Sequence, residues 1–213
     1  MTLGRESYFW HKLHSLTGII PVGFYVAQHL TLNSFAFAGK ENYNGVIKFF
    51  GSIPEHIMWV LRIGIIFLPL LFHAVYGMFI VARGNPNYSQ ASYKYRENRY
   101  YTLQRLSGLF LVAFLIYHYI DAPIKGLVQG HEAIYYEAWK TKLLSSFGLP
   151  LVMYVLGVIS AAYHLAYGIW NFCIRWGITI SEKSQARMGK VSFGAFVLLS
   201  GLGVVSLVGF FIH

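Results

Sequence analysis

Hydrophobic and polar positions fall along this chain in long blocks, and the strict alternation of a half-buried strand is missing. Five blocks stay apolar for about 20 residues or more, the length a helix needs to cross the hydrocarbon of a bilayer. They run over 15–37, 57–82, 101–121, 147–176 and 191–212. Polar connections separate them, notably GNPNYSQASYKYRENR at 84–99 and a longer, mildly amphipathic stretch at 121–146 built around HEAIYYEAWKTKLL. The pattern predicts an all-α fold, an integral membrane bundle of five transmembrane helices forming one domain over 1–213. Pro21, Pro69, Pro150, Gly194, Gly201 and Gly203 fall inside blocks, which membrane helices tolerate when neighbours take up the freed backbone groups. Pro69, one turn before His73, predicts a kink in the second span.

Composition narrows the class. Hydrophobic residues make up 56% of the 213 and charged residues only 12%, against roughly a quarter charged in a soluble domain. The 17 Lys and Arg against 8 Asp and Glu do not indicate nucleic acid, because the basic residues lie in short clusters between apolar blocks, without a stripe of exposed aromatics. They orient the bundle instead. Arg5, Lys12, Arg83, Lys94, Arg96, Arg99, Arg105, Arg175, Lys183, Arg187 and Lys190 fall on one side, and Lys40, Lys48, Arg62, Lys125, Lys140 and Lys142 on the other. The richer side is expected to be cytoplasmic and to hold the N-terminus. The opening MTLGRESYFWHKLHS lacks the features of a cleaved signal, so the first block is expected to be retained. The single Cys173 reads as apolar filler.

Against this background four histidines stand out. His29, His73, His118 and His164 lie one in each of the first four blocks. One buried imidazole is more often a packing residue than a ligand, but polar groups at membrane depth are costly and mark sites when they recur. At about 1.5 Å per residue, His73 and His164 both sit roughly 15 Å from the basic side, counted from Arg83 and Arg175. His29 and His118 sit roughly 20 Å or more from it, counted from His14 and Arg105. Two histidines at one depth, twice over, is the arrangement that two six-coordinate haems stacked across a membrane require. A zinc site would gather three or four ligands at one depth, and a proton relay would spread its groups along one path.

His73 and His164 each precede a glycine by four residues, in FHAVYGMF and YHLAYGIW. Gly77 and Gly168 are therefore expected to leave room for a porphyrin face, the bland alternative being helix packing. Lys12, His14 and Arg105 are candidates to neutralise propionates at the inner level, and Arg62 at the outer level. With both axial positions filled, such an iron transfers single electrons. No GxGxxG or GxxxxGK[ST] pattern offers a nucleotide site, so the exchange partners are expected to be a lipid-soluble quinone and a protein docked on the basic face. Glu55, His56 and Asp121 are candidate proton-handling groups for the quinone at the outer surface.

The segments SYFWHKLHSLTGIIPVGFYVAQHL, FLPLLFHAVYG and HLAYGIWNFCIRWGIT resemble the cytochrome b membrane-anchor subunit of succinate dehydrogenase, in the single-anchor, two-haem form of Bacillus-like bacteria. The resemblance runs over about 5–190 and keeps the histidine spacing. It implies five helices in the bacterial cell membrane and two haem b groups, ligated by His29 with His118 and by His73 with His164. It also implies a flavoprotein with covalent FAD and an iron-sulfur subunit on the cytoplasmic face, and electron delivery to a quinone, menaquinone being expected. Related fumarate reductases with a compensating proton path carry a glutamate two residues before the fourth-helix histidine, where this chain has Ala162. Two other readings remain at this point. One is a two-haem cytochrome b of a formate dehydrogenase, a hydrogenase or an ascorbate oxidation system. The other is a transporter or proton channel with a histidine relay.

Overall fold

The computed structural model describes residues 3–84 and 95–213. Lys94 and most of the polar connection before it lie outside the described residues, as do the side chains of Arg5 and Arg96. Among the described residues every regular element is helical. Helices α1 (Leu3–Ile19) and α2 (Pro21–Asn33) lead through a short 3-10 turn (Ser34–Ala38) to α3 (Lys40–Gly51) and α4 (Glu55–Trp59). A π-helical stretch (Val60–Phe67) joins α4 to α5 (Leu68–Arg83). Next come α6 (Arg96–Tyr119), a second π stretch (Ile120–Ile124) and α7 (Lys125–Gln129). The chain closes with α8 (Tyr136–Leu144), α9 (Leu149–Arg175) and α10 (Glu182–Gly209).

Four helices are long and apolar enough to cross a membrane: Glu55–Arg83, Glu97–Gln129, Ser146–Arg175 and Glu182–Gly209. They correspond to the second to fifth apolar blocks. The first block differs from expectation, because it is divided at Ile20 into α1 and α2. The cause is local. Pro21 has no N–H to donate and its ring crowds the preceding turn, while the Thr17 hydroxyl bonds to the carbonyls of Leu13 and His14 at 3.0 Å each. Ile20 keeps helical dihedrals (φ −76°, ψ −65°), so the break is a bend and the chain continues in the same sense. The two π stretches have the same origin. One ends just before Pro69 and the other contains Pro123, so the wider turn absorbs the donor that each proline lacks.

Helix α9 packs against α10, α6 and α1, α1 packs also on α5, and α2 lies against α10. Small residues make these close approaches, as expected where lipid gives no hydrophobic drive and van der Waals fit decides. A Cβ at Gly203 would fall 2.2 Å from Val158 Cγ1, and one at Gly157 2.3 Å from Phe114 Cζ. Large apolar side chains such as Phe24, Leu68, Ile116 and Leu198 point outward, where the surrounding medium is hydrocarbon.

One end of the bundle carries a folded cap that the block pattern did not reveal. Ala36, Tyr43, Tyr136, Leu143, Leu207 and Phe210 form a buried cluster that continues inward to Phe114 and Tyr154. The Tyr136 hydroxyl donates to the Gly209 carbonyl at 2.6 Å, satisfying one of the orphan carbonyls at the end of α10. Asn44 Oδ1 accepts the Tyr136 backbone N–H at 2.9 Å. Gly39 (φ +97°) and Gly130 (φ +88°) take the left-handed turns that bring α3 and α8 back over the helix ends, a backbone region that costs a side chain strain.

Candidate functional site

The four deep histidines come from α2, α5, α6 and α9, and the fold brings them together two by two. The rings of His73 and His164 have centroids 6.1 Å apart and planes at 88°. Those of His29 and His118 are 5.7 Å apart at 74°. Along α6 the two levels are separated by the ten residues from Gly108, which faces His164, to His118, or about 15 Å.

Most of these rings are held by their outer nitrogen. His73 Nδ1 donates to the His14 carbonyl at 2.9 Å. His164 Nδ1 lies 3.1 Å from the Gln104 carbonyl and 3.2 Å from Ser107 Oγ. His118 Nδ1 lies 3.3 Å from the Tyr154 hydroxyl. Fixing Nδ1–H in this way leaves Nε2 with its lone pair, the arrangement by which proteins orient a ligating imidazole. His29 is held differently, with Nε2 3.4 Å from Asn33 Nδ2.

With metal to imidazole nitrogen bonds of about 2 Å, two imidazoles facing across one metal have centroids roughly 6 Å apart, and both pairs meet this spacing. Among the described residues no group of three or more His, Cys, Asp or Glu could hold a metal ion. The donor set is therefore one of imidazole pairs, which suits an iron whose four equatorial positions are supplied by a macrocycle.

The glycines fit around these rings reciprocally. A Cβ on Gly18 would lie 2.3 Å from His73 Cε1, and one on Gly77 would lie 3.1 Å from His14 Nε2. Across the bundle, a Cβ on Gly108 would lie 2.9 Å from His164 Cε1, and one on Gly168 3.6 Å from Gln104 Nε2. Each helix thus places a polar side chain over the glycine of its partner, and His14 stacks on His73 at 4.1 Å with planes 8° apart. Sequence reasoning did not single out Gly18 and Gly108. A signal existed for the first, since HSLTG at 14–18 repeats the His-to-Gly spacing of the two longer motifs.

The remaining candidates divide by position. Lys12 Nζ stands 4.4 Å from the Trp176 ring, and the Arg105 guanidinium lies 3.9 Å over Tyr101 and against Gly84. Arg175, which sequence reasoning did not consider for this role, lies in the last turn of α9. Arg62 lies in the π stretch before α5, and on α2 the Tyr25 ring is 5.4 Å from that of His29. Glu55 accepts from Trp59 Nε1 at 3.3 Å, and both Glu55 and His56 are exposed. Asp121 is instead drawn toward the outer pair, accepting from the Tyr154 hydroxyl at 3.3 Å and pairing with Lys142.

Residues 85–203 match the family described as the succinate dehydrogenase/fumarate reductase transmembrane subunit. The chain is similar over almost its whole length to the succinate dehydrogenase cytochrome b558 subunit of Bacillus subtilis (strain 168). The two are 36% identical over 207 residues, covering 97% of this chain and 98% of the relative.

Proposed function

The chain belongs to the family of succinate dehydrogenase/fumarate reductase transmembrane cytochrome b subunits, and from that premise we propose that it holds two haem b groups, anchors the catalytic subunits and delivers electrons to a quinone. His73 and His164 hold one group and His29 and His118 the other. The observation that carries this reading is the pairing of four imidazoles from separate helices at the spacing of shared axial ligands. Held between two imidazoles, haem iron supplies one-electron transfer without an open coordination position.

The chain's own residues do the rest. The carbonyls of His14 and Gln104 hold the inner rings by Nδ1, Lys12, Arg105 and Arg175 supply positive charge for propionates at that level, and Arg62 does so at the outer level. The bent pair α1 and α2 makes the fifth span, which sets the N-terminus on the cytoplasmic side with the denser basic residues. That face receives the flavoprotein and iron-sulfur subunits. Asp121 exchanges protons with the quinone at the outer level in this reading, which favours menaquinone.

Purification through a tag on this chain tests the whole reading: it is expected to bring down a subunit with covalent flavin and to carry two haems per chain. A colourless chain, or one without a flavoprotein, would refute it.

A second expectation concerns energetics. Ala162 is fully buried in a cluster with Leu30 and Leu199, so no carboxyl group stands at this place to move a compensating proton. A charge crossing the membrane with its potential gains about 2.3 kcal/mol per 100 mV. Collapsing the potential across proteoliposomes that hold the complex, positive outside, should therefore slow succinate oxidation by menaquinone and speed the reverse reaction. Equal rates with and without uncoupler would sink this part.

A further inference from the structure

The two imidazole pairs differ in what stands behind them. At the His73–His164 level the Nδ1 atoms face backbone carbonyls and one serine hydroxyl. At the His29–His118 level the His118 Nδ1 faces a phenol, which in turn faces an ion pair. Tyr154, on α9 and only 7% exposed, accepts from His118 Nδ1–H at 3.3 Å and donates to Asp121 Oδ2 at 3.3 Å. Asp121 lies in the π stretch after α6, three residues beyond His118. Its carboxylate is paired with the ammonium of Lys142 on α8, with the two side chains only 20% and 17% exposed.

Such shielding matters, because charges removed from bulk water act over longer distances than exposed ones. Lys142 also lies 5.2 Å from the Tyr117 ring and 5.5 Å from the Trp139 ring. On its far side it lines an open groove with Lys125, Glu137, Thr141 and Ser145.

We propose that Tyr154, Asp121 and Lys142 are positioning residues for the outer site: they orient the His118 ring and set the reduction potential of the group held there, independently of the inner site. This rests on the reading that His29 and His118 ligate a haem. An iron centre gains one positive charge on oxidation. A carboxylate two hydrogen bonds from its ligand stabilises that oxidised state, and an ammonium beside the carboxylate opposes it. The phenol transmits the effect, because its oxygen is a stronger acceptor for His118 Nδ1–H when its own proton is held by Asp121.

The test is a spectroscopic redox titration of the purified complex, with the outer centre identified as the one missing from His118→Ala. Asp121→Asn should raise the midpoint potential of the outer centre, and Lys142→Gln should lower it. The double variant should return it close to the wild-type value, and Tyr154→Phe should change the low-spin resonance signature of the outer centre. The inner centre should stay where it is in all four. An outer potential unmoved by both single charge changes overturns the inference, as does a parallel movement of both centres. If Asp121→Asn does not assemble, Lys142→Gln and Lys142→Met carry the same sign test from the groove side. A wild-type complex with two haems and no response refutes this inference alone. A complex in which His118→Ala removes no haem refutes the underlying reading.

Discussion

Alanine at His73 or at His164 is expected to leave the purified protein with one haem in place of two, and alanine at His29 or at His118 to remove the other. The effect should be near complete, because each group is bonded by only two axial side chains, and the loss of either leaves the facing imidazole to hold it alone. Unfolding would not be the explanation. Alanine is the residue best suited to a helix interior, and each replacement removes a polar group from membrane depth, where it is costly. Pyridine haemochrome analysis gives the haem count, and a difference spectrum shows which band has gone. Replacements within a pair should give the same remaining spectrum, and replacements in different pairs should give complementary ones. Retention of both groups after any of the four changes would refute the assignment.

Which rings stand level with one another was legible because depth in a straight helix is a count of residues, and an imidazole in an apolar block is visible without any tertiary information. The rings that share a depth are the ones found side by side. The same counting shows a repeat. His14, just ahead of the first block, with Gly18 and His29 inside it, corresponds to Gln104, Gly108 and His118 in the third. The step from the inner polar residue to the outer histidine is 15 residues in the first and 14 in the third. The first block is also the one bent at Pro21, between Gly18 and His29. Counting did not show which residue on a neighbouring helix faces each ring. The meeting of Gly18 with His73, or of Tyr154 with both His118 and Asp121, depends on the rotation and crossing of α1, α5, α6 and α9. The cap was hidden for a different reason. Its helices are short, their apolar residues are few, and they are ordered by contacts such as Tyr136 with Gly209, 73 positions away.

The reciprocal fit of glycines and polar rings leads to the second large expected effect, a graded one. An alanine at Gly18 would place its Cβ 2.3 Å from His73 Cε1, whereas ordinary contact begins at 3.4 Å. Relieving this by moving the ring alone takes about 1 Å, several times the roughly 0.2 Å over which a metal to ligand distance can vary. The ring has little freedom to comply, since its Nδ1 is bonded to the His14 carbonyl and its face is stacked on His14. Gly18→Ala should therefore abolish most occupancy of the His73–His164 site while the outer site stays filled. Gly108→Ala, at 2.9 Å from His164 Cε1, should lose less. Gly77→Ala should do little more than shift His14 by a few tenths of an ångström, and Gly168→Ala, at ordinary contact distance, should keep both groups. Gly194→Ala, with nothing within 4 Å, is the control, expected to gain up to about 1 kcal/mol of helix stability. Haem content and the inner-site band, measured across the five variants, read out the order. If Gly18→Ala binds both groups with an unchanged spectrum, the α1 face does not set the position of His73, and α1 does not cross α5 as closely as the Gly18–His73 contact requires.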